Sequence, residues 1–409
     1  MTRPAIPLLP ANTLVALCVL NHVAMSGSRV ALALHALRLG VPSLVLALML
    51  APYALTSALG ALPIGRWVDR NGARVPALVG MALATGGLTL AAWHPDRVVL
   101  TLAATLVGFG YAASVIALQS ELARDRDAAE RASGFGRFAI GTAASGGFGP
   151  LLAGQCMAHG GAHLAFGVLT LVSAVACGGG LWNAQRLLCT RAVTARPALF
   201  SVSSLAGLGG LRRLMLADLL LAFAWNANSF AVPLVGQRHG WSDDTVGNLL
   251  GCFGVAVMLV RMLPPSWRRR GGDWRAVTRA TAASGLVLMG LPILTALPLP
   301  YALEALLGCG LGSSLPSMLA LIEARTPAGR RAEALGLRQV VLGIGATALP
   351  ATLGALVAAV GLTAAVAGLG GVLCAGAAGV RPRRTSASPR PSPCPAGTRP
   401  RDGARRCPR

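Results

Sequence analysis

The chain has 409 residues, of which 54% are hydrophobic and only 12% charged, about half the charged share usual in a soluble domain, which excludes a soluble globular protein. Its 36 basic residues are all arginine, set against 14 acids, for a net charge of +22. With lysine absent, no Gly-x-x-x-x-Gly-Lys-Ser/Thr phosphate-binding loop can exist, so an ATP-driven pump within this polypeptide is excluded as well.

Twelve apolar runs follow one another, at about 12–37, 43–65, 75–93, 98–121, 134–157, 162–182, 214–235, 244–264, 276–296, 299–322, 334–358 and 361–380. Each is close to or above the roughly 20 residues that cross a hydrocarbon core. Backbone polar groups in lipid have to be satisfied within the segment, so the runs predict helices and an all-α membrane protein. The first run is too long for a cleaved signal and lacks a small-residue cleavage site. The predicted organisation is an N-terminal segment (1–11), a six-helix bundle (12–182), a linker (183–213), a second six-helix bundle (214–380) and a tail (381–409). That tail is Arg-, Pro- and Ser-rich, cannot bury a core, and is expected to be disordered.

The first run carries His22, Ser26 and Arg29, at steps of four and three that place them on one helical face. Asn21 lies beside that face. An ionisable group inside a span is costly and so marks a functional hypothesis. His22 fits either a protonation switch or a neutral ring bonded to a carbonyl.

Between the second and third runs lies a compact charged turn holding Gly65, Asp69, Arg70, Gly72 and Arg74. Gly65 is expected to let a neighbouring helix approach, and Gly72 to take the positive φ of a tight turn. Arg70 and Arg74 can pair with Glu121 at the end of the fourth run. The fifth run has Gly149, Pro150 and Gly154, which predict a kinked helix with small faces for close packing. Pro350 and Gly354 repeat that pattern in the eleventh. Arg137 and Arg338 open these two runs, where they oppose the helix dipole and require carboxylate partners; Glu130 and Glu333 are the nearest in sequence.

The seventh run carries Asp218, Trp225 and Asn228 on one face, with Asn226 beside it. Trp225 would stack on a ligand or fill the bundle. The tenth run carries Glu304. At 1.5 Å rise per residue, Arg29 and Glu304 reach a similar depth, and they are predicted to face one cavity, either paired or bridged by substrate. Glu304 is then the candidate proton carrier. One cation, one anion and two amides suit a zwitterion, an anion with a counter-proton, or a polar drug.

Arginine also sets the predicted orientation. The segments after even-numbered runs are rich in it, and nine more follow residue 380, whereas the opposite side holds Arg38, Arg97 and Arg238. The positive-inside rule puts both termini in the cytoplasm, which accounts for the +22 without a nucleic-acid partner. The nine cysteines follow no metal-ligand spacing, and no metal or other cofactor is expected.

The two halves match at an offset of 200 residues. Gly108-x-Gly110 meets Gly308-x-Gly310, Ser114 meets Ser314, Pro150-x-x-x-Gly154 meets Pro350-x-x-x-Gly354, Gly40 meets Gly240 and Gly72 meets Gly272. A duplicated six-span unit implies two bundles about a pseudo-twofold axis, with a site between them near mid-membrane.

Over about 12–380 the chain resembles the major facilitator superfamily. That family's pattern between its second and third helices is Gly-x-x-x-Asp-Arg-x-Gly-Arg-Arg/Lys, matched here by Gly65, Asp69, Arg70, Gly72 and Arg74. A second pattern, Gly-x-x-x-Gly-Pro-x-x-Gly-Gly, is met in part by Ser145, Gly149, Pro150, Ala153 and Gly154. The resemblance implies two pseudo-symmetric six-helix bundles, with helices one, four, seven and ten around a central cavity. It implies that Asp69 faces the start of the eleventh helix, around Ala334 to Arg338, and that the charged turn and Glu121 form a cytoplasmic gate. It further implies a monomeric secondary transporter of the inner (plasma) membrane, working by alternating access on a small molecule and protons. The fifth-run pattern leans towards proton-coupled export; proton-coupled uptake of a metabolite, or a non-transporting receptor on the same fold, are the alternatives. No His/Asp/Glu cluster of a membrane enzyme is present in the sequence.

Overall fold

The computed structural model describes residues 9–123, 128–187, 209–263, 272–294, 296–326 and 331–380, with the side chains at 128, 132, 209–210, 323, 331–336, 339–340 and 380 outside that set. Most of the predicted linker and the whole tail lie outside the described residues. Within them the chain is helical throughout: α1 Ala11–Arg38, α2 Ser43–Asn71, α3 Arg74–Trp93 and α4 Arg97–Ala123, then a helical stretch Ala128–Trp182 broken at Gly161 into α5 (128–160) and α6 (162–182). The second half repeats the series: α7 Gly209–Arg238, α8 Asp243–Met262, α9 Asp273–Gly290, α10 Leu299–Arg325, α11 Arg331–Val360 and α12 Leu362–Val380. Ten of the helical stretches, with α5 and α6 taken as one, are long and apolar enough to cross a bilayer. The exception is α9, whose first two turns carry Asp273, Arg275 and Arg279.

The duplication is visible in the packing. In the first half α3 packs on α4 and α6, and α2 on α4; in the second α9 packs on α10 and α12, and α8 on α10. The glycines with positive φ among the described residues fall into three pairs 200 apart: Gly40 and Gly240, Gly72 and Gly272, Gly161 and Gly361. The pair at Gly161 and Gly361 turns the chain between the last two helices of each half.

The halves meet along two seams, α5 on α8 and α2 on α11, which the repeat interchanges. A Cβ on Gly154 would stand 2.6 Å from Asp243 O and from Gly247 Cα; a Cβ on Gly354 would stand 2.9 Å from Ser43 O and 2.7 Å from the Ala47 methyl. These are the same contacts shifted by 200. Tightest is Gly254, whose added Cβ would lie 2.1 Å from Gly147 Cα and 2.4 Å from its nitrogen. Lipid gives apolar side chains little reason to leave it, so helix association here depends on dispersion between closely approaching backbones.

The charged turn differs from its predicted form. Helix α2 continues through Gly65 to Asn71, and only Gly72 and Ala73 form the corner, Gly72 at φ 78°. The Gly72 N–H bonds Val68 O at 2.8 Å, a glycine-terminated helix end. Once α2 leaves the hydrocarbon, polar side chains give it no reason to stop. Nothing lies within 4 Å of where a Gly65 Cβ would stand, so that glycine does not serve close helix approach. Asp69 is exposed; of the residues expected to face it, Ala334 to Arg338, those up to 336 lie outside the described side chains, as does Glu333, while Arg338 pairs with Asp218 instead. Glu121 is buried, yet among the described residues neither Arg70 nor Arg74 forms an ion pair with it.

Gly254→Ala should wedge α5 from α8. The expected cost is about 1–3 kcal/mol, as for other overpacked contacts. Gly167→Ala, where the added Cβ meets open space, should be neutral. Apparent melting temperatures of the two variants in detergent check this; equal temperatures would show that the seam yields.

Candidate functional site: a polar chamber between the halves

Where the four seam helices cross α1 and α7, they leave a chamber of about 80 Å³. Its walls come from both halves: His22, Ser26 and Arg29 of α1, Pro150 of α5, Trp225 of α7 and Pro350 of α11. The predicted face of α1 is therefore brought together as spaced. The two prolines, one repeat apart, face the same space. Each lacks the N–H that a helix would use to bond residue i−4.

Local bonds hold this face. His22 Nδ1 lies 2.6 Å from Ser145 Oγ, and the ring tilts against Tyr111 with centroids 5.4 Å apart. The Ser26 hydroxyl donates to Ser145 O at 2.9 Å. Gly149 lets α5 come this near, because a Cβ there would fall 2.1 Å from Ser26 Oγ and 2.6 Å from Val23 O. Trp225 stands edge-on to Phe253, centroids 4.9 Å apart. Arg29 differs from the rest: its Nε is buried without a hydrogen-bond partner, and no described carboxylate pairs with it.

Three residues expected in the cavity are turned elsewhere. Asn21 is buried inside the first half, its Nδ2 donating to Ser114 Oγ. Asn228 and Glu304 are fully buried inside the second half, where Asn228 Nδ2 donates to Glu304 Oε2 at 2.8 Å. Arg29 and Glu304, expected to face one cavity either paired or bridged by substrate, are thus apart: Arg29 lines the chamber and Glu304 is bonded to Asn228. The repeat held the missing signal. Glu304 occupies the position of Ala104, and Asn228 that of Ser28, both buried in the first bundle; there Ser28 accepts a bond from the Tyr53 hydroxyl at 2.9 Å.

A second cavity, about 310 Å³, lies towards the face bearing the N-terminus and is lined by Asp218, Asn226, Arg261, Ser314 and Arg338. Trp225 borders both cavities. Asn226 bonds its own helix, Nδ2 to Ala222 O at 2.9 Å. Arg338 does take a carboxylate, but it is Asp218: Nε is 2.9 Å from Oδ2 and Nη2 is 3.4 Å from Oδ1. The nearer contact is off-axis for a hydrogen bond, so its attraction is chiefly Coulombic. Arg137, expected to need an acid, is satisfied by neutral groups, Asn12 Oδ1 and Ser133. It sits exposed near the helix end, where water screens its charge.

The opposite face is drawn shut by contacts between the halves. Arg38, ending α1, meets Asp243, opening α8, at 2.5 Å. Gln237 Nε2 donates to Leu37 O at 2.9 Å, and Gln155 Nε2 to Asn248 Oδ1 at 3.0 Å. The Ser43 hydroxyl reaches Gly354 O at 3.3 Å. None of these was legible as a pair in the sequence, since each joins helix ends from different halves.

Two bundles related by an internal repeat, packed on paired seams around a polar chamber, match a known architecture. The profile described as Major Facilitator Superfamily matches residues 14–302 and 214–406. The chain belongs to the major facilitator superfamily. Among solved structures, this superfamily member is similar to a peptide transporter POT in complex with sulfate, at 15% identity and TM-score 0.72, over 90% of this chain and 93% of that one. It is similar to a POT family transporter in complex with a thioalcohol-conjugated peptide, at 14% and 0.73, over 90% and 95%. It is also similar to a human organic anion transporter (TETRAN), at 16% and 0.64, over 91% and 100%. Among curated proteins, none matches the sequence significantly. The family and fold are those of multi-pass membrane transporters.

Asp218→Asn should strand the Arg338 charge at a site where both side chains are largely buried, at a cost of about 3–5 kcal/mol. Removing both charges, with Asp218→Asn and Arg338→Gln together, should restore most of the loss. Thermal unfolding of the single and double variants measures the difference. A double variant as unstable as the single one would show that the pair is not the source.

Proposed function

We propose that this chain is a secondary active transporter that exports a small organic solute in exchange for protons, by alternating access. The observation that carries the reading is a chamber walled by both halves, closed towards one face by cross-half contacts and continued by a wider cavity towards the other. With the N-terminus in the cytoplasm, this is a form closed to the outside. Rocking the halves about their two seams would part Arg38 from Asp243 and open the chamber outward. The small residues along α5, α8, α2 and α11 suit such motion, because backbone surfaces without interlocking side chains can tilt past one another. Asp69, Arg70, Gly72, Arg74 and Glu121 lie at the end of the bundle that would close in that second form.

Glu304 is the proton site in this scheme. Its Oε1 and the Asn228 Oδ1 are two buried acceptors with no donor. A single proton carried by the carboxyl could satisfy both, which makes occupancy of this pair a plain two-state element inside the second bundle. His22 lies between the chamber and Tyr111 and is a second group able to take up a proton on the path.

Reconstitution tests this directly. In proteoliposomes with an imposed proton gradient and an internal pH dye, transported compounds should move protons with them. Glu304→Gln should abolish gradient-driven accumulation while leaving downhill exchange of the solute intact. Coupling unchanged in Glu304→Gln would remove that residue from the mechanism. Compound-dependent proton flux with the opposite sign would assign uptake, and binding with no flux would favour a receptor.

A further inference from the structure

The chamber's charge is one-sided. Among its described lining residues it has one permanent cation, Arg29, one titratable imidazole, His22, and no carboxylate. A guanidinium stays charged at any physiological pH, and burying one without a partner is unfavourable. The acids that could neutralise it are committed elsewhere: Glu304 to Asn228, Asp218 to Arg338 and Asp243 to Arg38. A second guanidinium, Arg261, lines the adjoining wider cavity.

The other polar groups on the wall are already used. The Ser26 hydroxyl donates to backbone oxygens, His22 is bonded to Ser145, and the Ser229 hydroxyl turns to Trp225 O at 3.4 Å. Arg29 therefore holds the unspent donors. The remainder of the wall is apolar and aromatic, with Leu50, Trp225, Phe230, Leu250 and Phe253 around it. A free volume of about 80 Å³ is well below the roughly 300–1,000 Å³ of drug-sized sites.

We propose that this chamber takes a small organic anion, a monocarboxylate with an apolar or aromatic body, its carboxylate on the Arg29 fork and its body against Trp225 and Phe253. The proposal deepens the transport reading and rests on the same chamber. A planar guanidinium matches a carboxylate with two parallel N–H···O bonds, and a site shielded from water strengthens them. A cationic solute would meet Arg29 and no acid among the described lining residues there, so cations are rejected. A neutral solute would leave the buried charge unmet.

The test uses the full-length protein in detergent, at constant ionic strength. Butyrate, phenylacetate and benzoate are compared by thermal shift with their amides and with benzylamine. At least one carboxylate should raise the melting temperature saturably, and its amide and benzylamine should not. Arg29→Gln should weaken that carboxylate at least about tenfold, the scale of a charged hydrogen bond. Arg29→Lys should fall between, since it keeps the charge but not the fork. The native-protein comparison stands even where Arg29→Gln fails to fold. No shift from any carboxylate, an equal shift from the amide or amine, or unweakened binding in Arg29→Gln would each overturn the proposal. Flux separates the two readings. A carboxylate held by Arg29 but not moved in proteoliposomes keeps the anion site and ends the transport reading. An uncharged solute still moved by Arg29→Gln does the reverse.

Discussion

Everything in this protein depends on backbones meeting backbones across the two seams. Between Gly147 and Gly254 the helices α5 and α8 come so near that even a methyl group has no room, and the α2–α11 seam repeats the arrangement with Gly354 against Ala47. In a bilayer, apolar side chains gain little by leaving lipid for protein, so such close approach has to supply cohesion through dispersion and packing. It also sets the geometry of the interior. Because the seam helices cross tightly on both sides, α1 and α7 are left facing one another across a gap, and whatever those helices carry on that face becomes the chamber wall.

Charge is distributed around that gap in a consistent way. Ion pairs stand at both ends: Arg38 with Asp243 joins the halves at one face, and Arg338 with Asp218, within the second half, lines the wider cavity towards the other. Amide and carboxyl are placed inside the second bundle, where Asn228 and Glu304 meet out of reach of the chamber. Arg29 alone stands on the chamber wall with buried donor capacity unfilled. With Asp218 and Asp243 paired to other arginines and Glu304 bonded to Asn228, this charge is left for something that arrives. The separation matters for coupling too. A proton on Glu304 and a solute on Arg29 would occupy different bundles, so they would communicate through motion of α7, which borders both, and not through direct contact.

The duplication gives the two halves the same skeleton and different chemistry. Where the first bundle buries Ser28 and Ala104, the second buries Asn228 and Glu304; where the first has Tyr53 across from Gly108, the second has Phe253 across from Gly308. Equivalent positions thus hold methyl and hydroxyl groups in one core and a carboxyl–amide pair in the other, on matching helix contacts. The second half thereby gains an ionisable interior, while the first supplies the cation of the chamber.

Much of this was legible in the sequence alone. Run lengths and the small charged share defined an all-helical membrane chain. The 200-residue offset defined two equivalent bundles and the glycine corners at Gly40, Gly72, Gly240 and Gly272. Spacing by four and three put His22, Ser26 and Arg29 on one face, and that face does line the chamber. These properties are local, or repeat at fixed intervals, so a linear string records them. The tertiary structure alone decided that Asn21, Asn228 and Glu304 look into bundles, that Arg338 meets Asp218, and that Arg38 meets Asp243. Helical periodicity states which residues of one helix share a direction. It does not state which neighbour lies in that direction, because that depends on the rotation of each helix about its axis, and the rotation is set by contacts with helices distant in sequence.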